Sequence, residues 1–508
     1  MKKTIFIKNA IILTAASLIL RFAGIIFKVW LASAIGSEGM GLYQLIFSVY
    51  MLASTFASSG ICTAVTRLIA EEIGLGTKKG VLRILHRSIT LTLIIAFISI
   101  ILLYFGADFI AYNLLGDMRC AAALKILPFS LPFMGITSCL RGYFIALRRV
   151  TPNAFSQIFE QAVRIVLVLL LVKKYLKFGL AYCCAAVIAG DVTAEILSAL
   201  MLYIIYKFSI KRLKNLKGRE NPPYKVTSKI LDISVPITSG RYLNTALRTG
   251  ENILVPKNLA KFALSGSKAL SQFGMIKGMA LPILFFPSTL LNSISTLLIP
   301  EMSEAAAKNQ KLIVKTTTTS IIKLTSIISF IFSAIFLIAG EKIGFLIYKN
   351  NDVGFLLKCL APIIPFMYLD SISDGILKGL DQQRFSFRTA ISDSLLRIIL
   401  IILIVPKTGL NGFIGIMFFS NFYTCFLNIR RLLKITKASL KIIKEIFLPF
   451  LSANFSVFLI NLFLGNFLAN KILVYIILLC AFSIPLYLIL LFIFGSLEKH
   501  EITQIIKR

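Results

Sequence analysis

Charged residues are scarce in this chain: of its 508 residues, 15% are Asp, Glu, Lys or Arg, whereas 57% are hydrophobic. Soluble domains carry about 25% charged residues, so this composition excludes an ordinary soluble protein. Apolar stretches of about 20 residues, the length with which a helix crosses a bilayer, recur along the whole chain. These runs are too long for the strands of a membrane barrel, so we predict an all-α, polytopic membrane protein.

The residues that build catalytic and metal-binding sites are also few. The two histidines, His86 and His500, lie in segments that we predict to be cytoplasmic. The eight cysteines include no C-x-x-C pair, and no His, Cys and carboxylate cluster has metal-ligand spacing. The phosphate-cradling motif G-x-x-x-x-G-K-[ST] is absent as well. We therefore predict that the protein is not an enzyme, and we expect no catalytic residue, no metal and no cofactor.

An internal duplication organises the sequence. The stretch from Leu131 to Val172 is repeated without a gap in the second half of the chain, from Ile364 onward, and twelve of the paired positions are identical. Apolar residues match easily by chance in such a chain, but a shared spacing of proline, glycine, acid and arginine does not. The matching positions include the pairs Pro132/Pro365, Gly142/Gly375, Glu160/Asp393 and Arg164/Arg397. Repeats of this kind indicate that the two halves share one architecture.

We predict about fourteen transmembrane helices, of which the first twelve form the two repeats. The repeat offset contains six spans, an even number, so both halves enter the membrane with the same orientation and form two parallel six-helix lobes. Two extra C-terminal helices have no counterpart. The expected divisions are an N-terminal lobe at 1–210, a cytoplasmic linker at 211–228, a C-terminal lobe at 229–440, and the last two spans with a cytoplasmic tail at 441–508.

The net charge of +33 could indicate a nucleic-acid partner, but its distribution indicates a membrane topology instead. Lysines and arginines concentrate in alternate loops, which is the positive-inside pattern and places both termini in the cytoplasm. Contact with anionic membrane lipids accounts for the same residues. We therefore expect no nucleic acid as partner. Lys214 and Lys437 are predicted to face the cytoplasm, and Ser37 and Asn350 the outside.

Several cations lie inside predicted spans, where a charge is costly and is a functional candidate by default. Arg21 and Lys28 are two helical turns apart on the first span and therefore project from one face. The same spacing recurs on the seventh span, and the eighth carries one lysine. A cavity lined by cations implies an anionic cargo, because phosphate groups supply the missing counter-charge. The predicted substrate-binding residues are Arg21, Lys28, Arg241, Arg248 and Lys277.

Other ionisable residues in the spans are candidates for ion coupling or for structural ion pairs. Glu160 precedes Arg164 by four residues, and Asp393 precedes Arg397 by four, which is the favourable order on a helix face. Because both halves contain this pair, we interpret it as structural within each half. Glu251, three residues after Arg248, belongs to the same class of candidates. Three cations near the ends of spans are expected to extend towards the interface: Arg67, Arg141 and Lys378.

The sequence resembles the polysaccharide-transport branch of the multidrug/oligosaccharidyl-lipid/polysaccharide exporter superfamily over essentially its whole length. The segments that carry the resemblance are Gly36-Ser-Glu-Gly-Met-Gly-Leu-Tyr-Gln44, Arg141-Gly-Tyr-Phe144, Ser156-Gln-Ile-Phe-Glu-Gln161, Gly278-Met-Ala-Leu-Pro282 and Leu377-Lys-Gly-Leu-Asp381. The resemblance implies fourteen helices in two lobes. It also implies the flipping of lipid-linked, pyrophosphate-bearing saccharides across the bacterial cytoplasmic membrane, here for spore-cortex or cell-wall synthesis.

Related lipid II flippases share two motifs with this chain. Their first-span pattern Arg-x-x-Gly is similar to Arg21-Phe-Ala-Gly24. Their eighth-span pattern Arg-Leu-Met-x-Phe-Pro is similar to Lys277-Gly-Met-Ala-Leu-Pro282, in which lysine stands for arginine. Lysine keeps the charge but lacks the forked geometry of arginine. The resemblance implies that Arg21 and Lys277 contact the cargo.

We therefore expect a transporter that flips a lipid-linked anionic saccharide or peptidoglycan precursor by alternating access. The expected partners are this substrate, membrane lipids and proteins of cell-wall synthesis. One alternative is a cation-coupled multidrug exporter of the same architecture, which would need an anionic cavity. Another is a membrane-embedded glycosyltransferase, which would need acids facing a large outer loop, or a scaffold protein of a cell-wall complex.

Overall fold

The structure of the protein, a computed structural model, describes residues 2–58, 60–210, 226–467 and 471–497. It is helical almost throughout, and no β-strand occurs in these ranges. Short π- or 3₁₀-helical segments join several of the α-helices. The α-helices are α1 Lys2–Ser58, α2 Ile61–Gly74, α3 Lys78–Phe109, α4 Ala121–Ile126, α5 Leu131–Ala146, α6 Thr151–Tyr175, α7 Leu180–Ile210, α8 Val226–Ala263, α9 Gly266–Phe273, α10 Leu281–Leu284, α11 Ser288–Ala307, α12 Lys311–Tyr348, α13 Asn351–Leu360, α14 Ile364–Gly379, α15 Gln383–Thr436, α16 Leu448–Phe467 and α17 Ile472–Ile493.

Two of these helices are interrupted by a single glycine. In α1, Gly36 has φ 71° and ψ −179°, and in α15, Gly409 has φ 62° and ψ −137°. These backbone angles are accessible to glycine and strained for other residues. Each long helix is therefore two helical pieces. The breaks fall between the first and second predicted spans and between the eleventh and twelfth.

Ten segments of the described chain are long and apolar enough to cross a membrane. Two of them, Ile12–Gly74 and Gln383–Thr436, contain the glycine breaks and so hold two predicted spans each. Among the residues described, α8 and the helices from Gly266 to Ala307 are outside these ten. Because α8 carries two of the predicted cargo cations and Glu251, its hydropathy is low. The multi-span, all-α architecture is confirmed, and the count of fourteen stays a prediction.

The chain folds into two compact units. The first consists of Met1–Lys257 with Gly266–Gly274, and the second of Asn258–Ser265 with Met275–Arg508. Hydrogen bonds attach α8 to α1 within the first unit: Thr249 donates to the Ser48 carbonyl at 3.1 Å, and Asn252 donates to the Ser48 hydroxyl at 2.9 Å. Most of the predicted linker, residues 211–225, lies outside the described residues, so the proposed lobe boundaries stay predictions.

The duplicated stretch adopts the same local structure in both units. The helices α5 and α14 are each 16 residues long, begin at equivalent positions, and carry proline in the first turn, where its missing N–H costs nothing. In the first unit, α5 packs closely on α2, because a Cβ on Gly142 would come within 2.8 Å of the Cys62 carbonyl oxygen. Glycine at this position permits the close approach of two helices.

The last two helices pack within the second unit. Tyr487 of α17 donates a hydrogen bond to the Ile327 carbonyl of α12 at 3.2 Å, and Tyr475 donates to Asn461 of α16 at 2.5 Å. Elsewhere, large apolar side chains remain exposed, such as Leu102 at 67% and Phe105 at 79% on α3. Such exposure would promote aggregation in water, whereas in a bilayer these side chains contact lipid.

Candidate functional site

A partly buried network of acids and arginines joins three helices of the first unit. Both carboxylate oxygens of Glu160 on α6 are engaged: Oε2 accepts from Arg141 of α5 at 3.1 Å, and Oε1 accepts from Arg164 of α6 at 2.9 Å. The side chain of Glu160 is only 14% exposed. The predicted pair of Glu160 and Arg164 is therefore formed, and a second arginine completes it.

The helix α7 adds two buried carboxyl groups to this network. Asp191 lies 3.0 Å from Nε of Arg164, and Glu195 follows one turn later, close enough to interact electrostatically with Glu160, Arg141 and Arg164. Asp191 and Glu195 are 4% and 5% exposed. Three carboxyl groups thus meet two guanidinium groups, which leaves one excess negative charge when all five are ionised. A bound proton would balance that charge.

The second unit has a polar cluster at the equivalent positions, with a different composition. Asp393 accepts a hydrogen bond from Ser420 and lies 4.0 Å from Arg397, so its ion pair with Arg397 is looser than that of Glu160 with Arg164. Asn428 donates to Asp370 at 2.8 Å. Asp374, which occupies the position of Arg141 in the repeat, pairs with Lys378. The duplication therefore preserves a polar site in each half but not its charge.

The predicted cargo cations are divided between the two units. Arg21, Arg241 and Arg248 are exposed, and Lys28 is half-buried; these four belong to the first unit. Lys277 belongs to the second unit and lies on a π-helical segment, Gly274–Ala280, with its Nζ 6.0 Å from the centre of the Phe413 ring. Convergence of all five on one cargo stays a prediction. Glu251 is buried, at 3% exposure.

Some residues behave differently from the sequence-based expectation. Arg141 was expected to extend towards the interface, and this is wrong: its side chain turns to Glu160 because a buried carboxylate offers a stronger partner than the interface does. Arg67 is exposed and pairs with Glu71 at 3.2 Å. Sequence reasoning assigns no role to Glu195. Its position four residues after Asp191, on one face of α7, is the signal that could have indicated it.

The chain is similar to known proteins both in sequence and in fold. A family model described as "Polysaccharide biosynthesis protein" matches residues 6–306. The chain is 27% identical to stage V sporulation protein B of Bacillus subtilis (strain 168), over 99% of this chain and 98% of that one. It is 20% identical to the lipid II flippase MurJ of the same organism, over 80% and 78%. A solved structure of lipid II flippase MurJ, in an inward closed conformation, superposes with a TM-score of 0.69 at 16% identity, over 96% of this chain and 98% of that one, which shows a shared fold.

Proposed function

Because this chain is a member of the polysaccharide biosynthesis protein family, we propose that it is a flippase for a lipid-linked, pyrophosphate-bearing saccharide or peptidoglycan precursor. The observation that carries this proposal is end-to-end similarity to a sporulation protein, together with the fold of a lipid II flippase. The cargo would cross the bacterial cytoplasmic membrane by alternating access. The similarity to stage V sporulation protein B supports a role in spore-cortex or cell-wall synthesis.

The cations within the predicted spans support an anionic cargo. Arg21, Arg241 and Arg248 expose guanidinium groups on helices that we assign to the membrane, where an uncompensated charge is costly. A pyrophosphate would supply several acceptor oxygens and the counter-charge for such groups. We assign cargo binding to these three arginines together with Lys28 and Lys277. The alternative of a cation-coupled multidrug exporter is less well supported. Such an exporter would need an anionic cavity, whereas the five candidate residues are cations.

The carboxylate network has a structural role in this proposal. Glu160 has both oxygens occupied by arginines, so it holds α5 and α6 together rather than meeting the cargo. Arg164, Asp393 and Arg397 are assigned to the same class of structural pairs, and Glu251 is kept as a buried candidate for coupling. Both termini are proposed to lie in the cytoplasm, and proteins of cell-wall synthesis are the proposed partners.

A flipping assay in proteoliposomes tests the proposal most directly. The purified full-length protein is reconstituted with a fluorescent polyprenyl pyrophosphate saccharide, and accessibility of the cargo to a membrane-impermeant quencher is followed. We expect protein-dependent flipping of this lipid and much slower flipping of a matched uncharged polyprenyl saccharide. Equal rates for both lipids, or no flipping of several pyrophosphate saccharides, would overturn the proposal.

A further inference from the structure

A basic pocket of about 360 Å³ lies where α14 ends and α15 begins, in the second unit. This site is separate from the residues assigned to the cargo. Three arginines and one acid give its lining a charge of about +2 when all four are ionised. Arg384 and Arg388 are exposed, and Arg431 is half-buried. The lining residues are Asp381, Gln382, Arg384, Phe385, Arg388 and Arg431.

Arg431 is held in place by its neighbours within the pocket. The side-chain amide oxygen of Gln382 accepts two hydrogen bonds from its guanidinium group, at 3.2 Å from Nε and 2.6 Å from Nη2. The same guanidinium lies over the Phe385 ring, 5.3 Å from its centre. A planar guanidinium that is fixed in this way loses little entropy when it binds an anion.

The start of α15 adds to the positive potential of the pocket. Gln382 is the residue that caps this helix, but its side chain makes no capping hydrogen bond and is engaged with Arg431 instead. The first turn of α15 contains no acidic residue. The first N–H groups of a helix carry partial positive charge, which anions stabilise. The helix start and the arginines therefore both favour an anionic ligand.

The internal repeat shows that the fold itself does not require the two arginines at the start of α15. At the equivalent positions of the first half, Thr151 and Phe155 stand in place of Arg384 and Arg388. The corresponding helices form in both halves nevertheless. Moreover, Arg384 and Arg388 are four residues apart on one helix face, where two like charges repel. A bound anion would remove that repulsion.

An apolar surface continues from the pocket along α15. Leu395, Ile399 and Ile402 follow Arg388 by about two, three and four helical turns, a spacing that places all four on one helix face. These three side chains are 48%, 56% and 48% exposed. A positive pocket at the end of a helix, with an exposed apolar stripe beyond it, matches a phospholipid, whose anionic headgroup is joined to acyl chains.

We propose that this pocket binds the phosphate of an anionic phospholipid in the cytoplasmic leaflet, with an acyl chain along Leu395, Ile399 and Ile402. The positive-inside pattern assigns the pocket to that leaflet. The site does not depend on the identity of the transported saccharide. A soluble phosphate could use the same arginines, but it would gain nothing from the apolar stripe.

Native mass spectrometry of the full-length protein in detergent tests this site. Phosphatidylglycerol is titrated against phosphatidylcholine and against inorganic phosphate, for the wild type and for the variants Arg431→Gln, Arg384→Gln and Arg430→Gln. Arg430 is exposed and adjacent to Arg431 but does not line the pocket, so it controls for the loss of one charge. Arg384 is exposed, so its substitution should leave the fold intact.

We expect selective retention of phosphatidylglycerol by the wild type and by Arg430→Gln. Retention should fall about tenfold in Arg384→Gln and in Arg431→Gln, because each loses a charge-assisted contact. Equal retention in all three variants would overturn the proposal. Displacement of the lipid by millimolar inorganic phosphate would also overturn it, because the ligand would then be a free anion. The flipping assay reports separately on the proposed transport.

Discussion

Arg141 donates a hydrogen bond at 3.1 Å to Glu160, which lies on the next helix. The other oxygen of Glu160 accepts a hydrogen bond from Arg164, so this carboxylate links α5 to α6. The equivalent of Arg141 in the second half is Asp374, which cannot form this link. The first unit therefore contains a carboxylate link between these two helices that the second unit lacks at the equivalent position.

We predict that Glu160→Gln lowers protein abundance more than specific activity. The substitution removes the carboxylate partner of Arg141 and one of the two carboxylates that Arg164 contacts, and breaking a buried pair costs about 3–5 kcal/mol. Membrane abundance and flipping per molecule are measured together. The matched control is Glu71→Gln, because Glu71 also pairs with an arginine four residues away but is 52% exposed. Loss of this exposed ion pair should lower the free energy of unfolding by less than about 1 kcal/mol. Normal abundance with lost activity in Glu160→Gln would contradict the structural role.

Arg21→Ala should lower transport about ten- to a hundredfold while the protein still reaches the membrane. Arg21 is exposed, so its removal should not disturb packing, whereas one charge-assisted contact to a pyrophosphate is worth about 1.5–3 kcal/mol. Arg21→Lys should restore transport only in part, because an ammonium group cannot make the forked contact. Arg67→Ala serves as the control. Full activity of Arg21→Ala would show that the cargo charge is not recognised at this position.

Lys277→Arg should be tolerated, whereas Lys277→Met should lose most transport. Arginine keeps the charge over the Phe413 ring, and methionine keeps the approximate length without the charge. The control is Lys342→Met, because Lys342 also lies over an aromatic ring, that of Tyr475, at 3.6 Å. Transport rates at equal membrane abundance decide the comparison. Equal losses in Lys277→Arg and Lys277→Met would contradict a cargo contact that depends on charge.

Impermeant cysteine labelling should place residue 437 inside the cell and the loop before α13 outside. Lys214 lies outside the described residues, so Lys437→Cys represents the cytoplasmic side. Asn350 caps α13 through hydrogen bonds from the Asp352 and Val353 N–H groups, so the adjacent Lys349→Cys is a safer outer probe. Wild-type protein controls for the native cysteines. Labelling of Lys437→Cys in intact cells would reverse the proposed orientation.

Gly36→Ala should destabilise the protein by about 1–3 kcal/mol, because alanine is strained at this backbone conformation. A Cβ at Gly36 would meet no atom within 4 Å, so crowding does not enter. Gly74→Ala is the matched control: its Cβ would also be free of contacts, and its φ is not positive. We expect it to be neutral or slightly stabilising. Thermal unfolding in detergent measures the stability of both variants. Equal unfolding temperatures for Gly36→Ala and Gly74→Ala would contradict the strain argument.

The helices and their repetition could be predicted because the signals are local. Run length indicates the spans, and the shared spacing of proline and glycine places the starts of α5 and α14 at equivalent residues. The pair of Glu160 and Arg164 follows from the four-residue period of a helix, and the structure confirms it. These features need no knowledge of which helices are neighbours.

The rest of the network depends on helix packing, which the periodicity of one sequence does not reveal. Arg141 and Asp191 meet the pair from two other helices, α5 before it in the chain and α7 after it. The ring beneath Lys277 belongs to Phe413 of α15, and several helices separate the two along the chain. The attachment of α8 to α1 through Ser48 likewise involves polar side chains that show no pattern of their own.

The glycines at positions 36 and 179 are required by handedness rather than by size. Gly36 has φ 71° and ψ −179°, Gly179 has φ 101° and ψ 172°, and an added Cβ would meet nothing within 4 Å at either residue. Mirror inversion moves both conformations into or near the extended region that ordinary L-residues prefer. A D-alanine should therefore fit at either position where L-alanine does not. At these two positions the backbone therefore adopts a conformation that suits a D-amino acid better than an L-amino acid.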